Sequence, residues 1–266
     1  MSLKDFRHLM LISLTGFGLF IFETRYRSKL IAKGAEALVK HFPSHTRSWM
    51  DSLMVWGVTL FGTSAIMVYL VIASLMRMDI TAPFIQRWRP ALFIWGILLG
   101  LGQTSVCYLL STFALRTGLS CRWQQVGDKV LLELQILGQT GWMRCYYSAI
   151  KTLPFPLNYG VVALALLGEE LIFRGLFIPL LLPLGPTVAI GLTTAFFILE
   201  QYLGMPSWYQ ALAPISAALV MGLVNGYLFI LEPNLIPLVI GHFIFFLLLT
   251  AQPRAGTSNF RQCYLG

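Results

Sequence analysis

The chain has 266 residues, of which 57% are apolar and only 11% charged, with a mean hydropathy of +0.73. A soluble domain carries about 25% charged residues, so 19 basic and 11 acidic side chains cannot coat a water-soluble globule of this size. An aromatic content of 14% excludes disorder, and the composition leaves a polytopic membrane protein with lipid as the solvent for its outer surface.

Apolar runs near twenty residues, broken by polar or Pro/Gly clusters, predict the spans. The first covers about 8–22 and ends at Glu23-Thr-Arg-Tyr-Arg27. It is not a cleavable signal, because no small-x-small site follows it. Residues 24–50 alternate Arg25, Arg27, Lys29, Lys33, Lys40 and Arg47 with Leu30, Ile31, Leu38 and Val39, the pattern of an amphipathic helix lying in the headgroup layer. Spans at 54–76 and 91–115 follow, separated by a polar turn over 79–90. A long polar interval, 116 to about 154, contains an amphipathic piece at 128–137. Four closely linked apolar segments complete the chain: 156–182, 186–203, 208–231 and 236–251. The expected fold is all-α, with about seven transmembrane helices (six to eight) and one interfacial helix. It divides into a membrane region with basic loops (1–155), a helical core (156–251) and a tail (252–266).

Charge is unevenly distributed. Residues 1–151 hold 16 of the 19 Lys/Arg and 7 of the 11 acids, whereas residues 152–266 hold three bases and four acids. The surplus of +8 shows no basic stripe interleaved with aromatics, so nucleic acid is not an expected partner. With seven spans, 13 Lys/Arg fall on the side that bears the C-terminus and 5 on the other. The positive-inside rule then places the C-terminus in the cytoplasm. Cys107, Cys121, Cys145 and Cys263 have neither C-x-x-C spacing nor a nearby histidine, which predicts reduced thiols rather than a metal or redox site. The final Cys263-Tyr-Leu-Gly266 has the length of a prenylation box but ends on a residue unusual for one.

An ionisable residue at membrane depth costs at least about 2.5–3.5 kcal/mol on insertion scales, so each is read as functional by default. Glu169, Glu170 and Arg174 share one apolar segment, Glu200 lies on the next, and His242 on the last. The first three spans offer only Gln103 and Cys107 for comparison. Five such groups on three helices suggest one polar cavity. Glu170 and Arg174 stand four apart on one helix face and can pair. Glu169 is rotated about 100° from Glu170, so the two carboxylates cannot serve Arg174 equally. One carboxylate held by a guanidinium, one left in an apolar setting and an imidazole on another helix together suit general acid–base hydrolysis.

Glu169-Glu170-Leu-Ile-Phe-Arg174 resembles the E-E-x-x-x-R motif of the CPBP family, also called Abi or type II CAAX prenyl endopeptidases. The downstream stretch from Met221-Gly-Leu-Val-Asn-Gly226 through Pro237 to His242 is similar to that family's G-x-x-x-G, proline and final histidine pattern. The resemblance covers roughly 155–250. It implies cleavage of a peptide bond within or beside the membrane, with paired glutamates activating water, arginine holding one of them, and two histidines and an asparagine completing the site. Two positions depart from the pattern. The F-x-x-x-H motif has no histidine here: Phe196 puts Glu200 at its last position, and Phe197 puts Gln201 there. The final H-x-x-x-N becomes His242-Phe-Ile-Phe-Phe246.

Two readings stay open. One is an intramembrane endopeptidase, with Glu169 as base, Glu170 held by Arg174, and His242 with Glu200 or Gln201 orienting water and substrate. The other is a catalytically degenerate relative acting as a membrane-embedded binding, assembly or structural subunit. No metal or other cofactor is expected. The expected partners are membrane lipids and a membrane-protein or lipidated-peptide substrate or a partner subunit.

Overall fold

The structure, a computed structural model, describes residues 15–16, 46–81, 84, 89–120, 141–205 and 208–250. Every regular element among them is helical: α1 (Thr46–Leu75), α2 (Ala91–Ser120), α3 (Met143–Thr152), α4 (Leu157–Glu170), a π-helix (Leu171–Phe177), α5 (Ile178–Leu181), a 3₁₀ turn (Leu182–Leu184), α6 (Pro186–Leu203), α7 (Trp208–Leu231) and α8 (Ile236–Thr250). Stretches Ser52–Leu75, Ala91–Ala114 and Gln210–Leu231 are long and apolar enough to cross a membrane, and α8 is a shorter apolar helix. Large side chains such as Trp56, Leu60, Trp95, Leu109 and Phe113 are exposed on α1 and α2, which suits lipid contact and not water.

The expected spans at 54–76, 186–203, 208–231 and 236–251 correspond closely to α1, α6, α7 and α8. The last five residues of the expected interfacial helix form the start of α1. The rest of it, most of the span at 8–22, the amphipathic piece at 128–137 and the tail lie outside the described residues. Two expectations need correction. The interval from 116 to 154 is not all loop: α2 runs on to Ser120, and α3 forms because Met143, Tyr146 and Ala149 recur on one buried face while Arg144 and Lys151 stay outside the core. Nor is 156–182 one uniform helix. It widens into the π-helix before Pro179, which has no N–H to give to the preceding turn; the Ile178 N–H instead bonds five residues back, to the Phe173 carbonyl.

Packing pairs α2 with α8, α6 with α7, and α1 with α3 and α4, while α7 also rests on α2. Small residues set these crossings, as they do where no hydrophobic force drives helices together. A Cβ on Gly62 of α1 would stand 2.8 Å from the Ala165 backbone, and one on Gly222 of α7 would stand 2.5 Å from Thr194 of α6. The close α6–α7 and α1–α4 contacts bring the C-terminal ends of α4 and α6 and the middle of α8 around a common centre. At the far end, Arg89 pairs with Glu232 at 2.8 Å. Asn234 Oδ1 accepts the Ile236 N–H at 3.0 Å and so caps α8.

Candidate active site

Glu169 and Glu170 close α4, and Arg174 sits one turn on, inside the π-helix. All three are buried, Glu170 and Arg174 completely. Burying a charge is tolerable only with close partners, and Glu170 has three on one oxygen. Its Oε1 lies 3.2 Å from Arg174 Nη1, 3.3 Å from Asn225 Nδ2 and 2.9 Å from His242 Nδ1. Arg174 donates a further bond through Nη2 to the Met221 carbonyl of α7 at 2.8 Å, and its guanidinium carbon stands 5.0 Å above the Phe197 ring, a cation–π contact from α6. The ion pair thus ties α4, α6, α7 and α8 to one point.

In the His242 tautomer whose Nδ1–H donates to Glu170, Nε2 is the hydrogen-bond acceptor of the ring. That nitrogen faces Glu169 Oε2 at 3.8 Å, too far for a direct hydrogen bond and close enough for both to reach one small polar molecule. The other oxygen of Glu169 accepts the Tyr146 hydroxyl of α3 at 3.1 Å. Glu169 is therefore not the solitary carboxylate expected from spacing: it escapes Arg174, and α3 supplies its partner.

Glu169 and His242 line a cavity of about 340 Å³. Residues of α2 and α7, with Trp142 and the C-terminal half of α8, make its wall, and Gln201 of α6 faces into it. Gln201 is only 6% exposed. Glu200 does not share that cavity. It lines a smaller apolar one, of about 80 Å³, on the side of Glu169 toward α1. Hence Glu169, Glu170, Arg174 and His242 converge. Of the two α6 candidates, Gln201 lines the larger cavity with Glu169 and His242. Glu200 lines the smaller one with Glu169, near enough to Arg174 to interact with its charge. Among the described residues, no group of three or more His, Cys, Asp or Glu side chains is placed to hold a metal ion.

This geometry of carboxylate pair, buried arginine and facing histidine coincides with a family match. Residues 151–248 match the Rce1-like family of type II CAAX prenyl endopeptidases. The match takes in α4 through nearly all of α8, under half of the chain, and agrees with the resemblance seen over 155–250. No curated protein and no solved structure matches the chain. Within the Rce1-like region, Phe246 occupies the position of the motif's asparagine, and its ring packs on Tyr146 at a centroid distance of 5.1 Å.

Two residues of the cluster escaped the sequence reading. Asn225 lies inside the G-x-x-x-G stretch, and an amide at that depth on an apolar helix was the available signal. Tyr146 gave none, since it sits in an interval that reads as polar loop. Both meet Glu169 or Glu170 only through tertiary packing.

Proposed function

We propose that the protein is a polytopic membrane endopeptidase that uses Glu169 to activate water. The juxtaposition of Glu169 Oε2 and His242 Nε2 across 3.8 Å, at the wall of a cavity large enough for a peptide segment, carries this reading. A water held between them gives a proton to the carboxylate as its oxygen attacks a peptide carbonyl. The resulting oxyanion needs a donor, and the Gln201 amide, which lines the same cavity, can supply one. Collapse expels the amine, which takes the proton back from Glu169. Glu170, fixed by Arg174 and Asn225, orients the imidazole. The Rce1-like match points to substrates of the kind its description names, the C-terminal segment of a prenylated protein.

In this reading about seven helices (six to eight) cross the bilayer, the C-terminus is cytoplasmic, and the chain contacts lipid and a lipidated or membrane-embedded partner. Purified protein in proteoliposomes, given a prenylated peptide that fluoresces on cleavage, should release product, and Glu169→Gln should not. Equal turnover by both proteins would sink the proposal. One observation favours the second reading, a binding or assembly subunit that keeps the fold. Phe246 replaces a hydrogen-bonding amide with a ring packed on Tyr146. A stoichiometric partner retained in mild detergent, with no cleavage of any peptide, would select that alternative.

A further inference from the structure

α2 lies outside the Rce1-like region, yet it sends one polar side chain into the cluster. Gln103 is 3% exposed in the middle of α2. Its Nε2 donates to Asn225 Oδ1 at 2.6 Å, while its own Oε1 is buried with no hydrogen-bond partner among the described residues. A buried acceptor with no donor is destabilising, so packing alone does not account for a glutamine here.

The polarity of this chain of amides follows from its charged end. Glu170 Oε1 already faces the Arg174 guanidinium and the His242 ring, so it acts as an acceptor. Asn225 therefore turns its nitrogen toward Glu170, at 3.3 Å, and its oxygen toward α2. Only a donor can meet that oxygen. Methionine would offer nothing and glutamate would offer a second acceptor, whereas glutamine presents an N–H.

We propose that Gln103 is a positioning residue: by fixing the Asn225 amide it fixes the Glu170 carboxylate, and through it the His242 ring. The proposal rests on the hydrolase reading for its effect on turnover, though not for the orientation of the amide. Without Gln103 the asparagine amide can turn over and bring Oδ1 against Glu170 Oε1, acceptor on acceptor. The carboxylate then loses one of its three donors.

The test uses the full chain in lipid nanodiscs with a fluorogenic prenylated peptide. Gln103→Met and Gln103→Glu should each lower kcat about tenfold, the loss expected when one buried hydrogen bond near the reacting groups is removed, with KM nearly unchanged. In an Asn225→Ala background, Gln103→Met should cost less than about twofold more, because nothing is left to orient. Fully additive losses, or unchanged kcat in both single variants, would overturn the proposal. A second readout does not depend on turnover. The side-chain amide resonances of Asn225, resolved by selective ¹⁵N labelling, should shift in Gln103→Met and exchange faster with solvent. An unchanged Asn225 amide overturns the proposal even if the protein cleaves peptides. A shifted one upholds it even if the wild-type protein cleaves none, in which case the hydrolase reading alone fails.

Discussion

His242 presents Nδ1 to Glu170 at 2.9 Å and Nε2 toward Glu169 at 3.8 Å, so one imidazole bridges two adjacent carboxylates of different standing. Glu170 is completely buried among fixed donors. Glu169 borders the cavity. Adjacent positions on one helix turn acquire different work because α8 approaches from one side, α3 from another and the π-helix arginine from a third.

The most direct consequence concerns Glu169. Glu169→Gln keeps an acceptor for Tyr146 and nearly the same volume, so the fold should survive while the proposed base is lost. Removal of a positioned general base costs about 10²–10⁴ in rate. Peptide cleavage in proteoliposomes, with thermal unfolding in detergent as the fold control, measures both halves.

Tyr146 offers a graded version. Tyr146→Phe leaves the ring packed on Trp142 and Phe246 but removes the hydroxyl that meets Glu169. A hydrogen bond to a charged group contributes about 1.5–3 kcal/mol. The expected result is a kcat reduced by about tenfold or more with KM little changed, read by steady-state kinetics.

The Glu170–Arg174 pair should behave as a unit in unfolding experiments. Arg174→Met alone strands a buried carboxylate and should cost about 3–5 kcal/mol, whereas adding Glu170→Leu should recover part of the loss by removing the orphaned charge. Unfolding midpoints of the two proteins in a denaturing-detergent titration decide the order. A double variant less stable than the single one would contradict it.

Two glycines make a contrasting pair. Gly222→Ala forces a methyl against Thr194 and should destabilise by about 1–3 kcal/mol. Gly160→Ala meets no atom within 4 Å on α4 and should be neutral or stabilising by about 0.5–1 kcal/mol, since alanine favours the helix. The same unfolding titration reads both.

The ion pair between Arg89 and Glu232 reaches solvent at both ends, with side chains 62% and 36% exposed. Such pairs contribute about 0–1 kcal/mol, so Arg89→Ala should leave unfolding and turnover unchanged within error.

Much of this was legible from sequence because two simple signals were strong. Apolar run length located α1, α6, α7 and α8, and the rarity of charge in the back half singled out Glu169, Glu170, Arg174 and His242. The same approach could not choose between Glu200 and Gln201. They are neighbours on one helix, about 100° apart, and only the way α6 packs on α7 turns Gln201 toward the cavity. Nor could it assign Tyr146 to Glu169, because α3 joins the core through an amphipathic face of ten residues too short and too polar to register as a span. Asn225 and Gln103 carry no charge, so a search built on the cost of charge passed over the first and left the second without a role.

The π-helix has one last consequence, for which changes in length the protein can survive. An α-helix surface repeats closely enough that a conservative substitution seldom moves its neighbours, but a seven-residue π segment accommodates extra chain in its wider turn. Removing one residue between Leu171 and Phe177 would let the segment tighten to ordinary α-helix, and because the wider turn absorbs about one residue, everything after it would stay nearly in register with α4. The same deletion just after Ala165, in ordinary α-helix, would instead turn Ala165 by about 100° relative to Glu170 and take it off Gly62. The turn that carries Arg174 can thus absorb a change in length that the helix before it cannot.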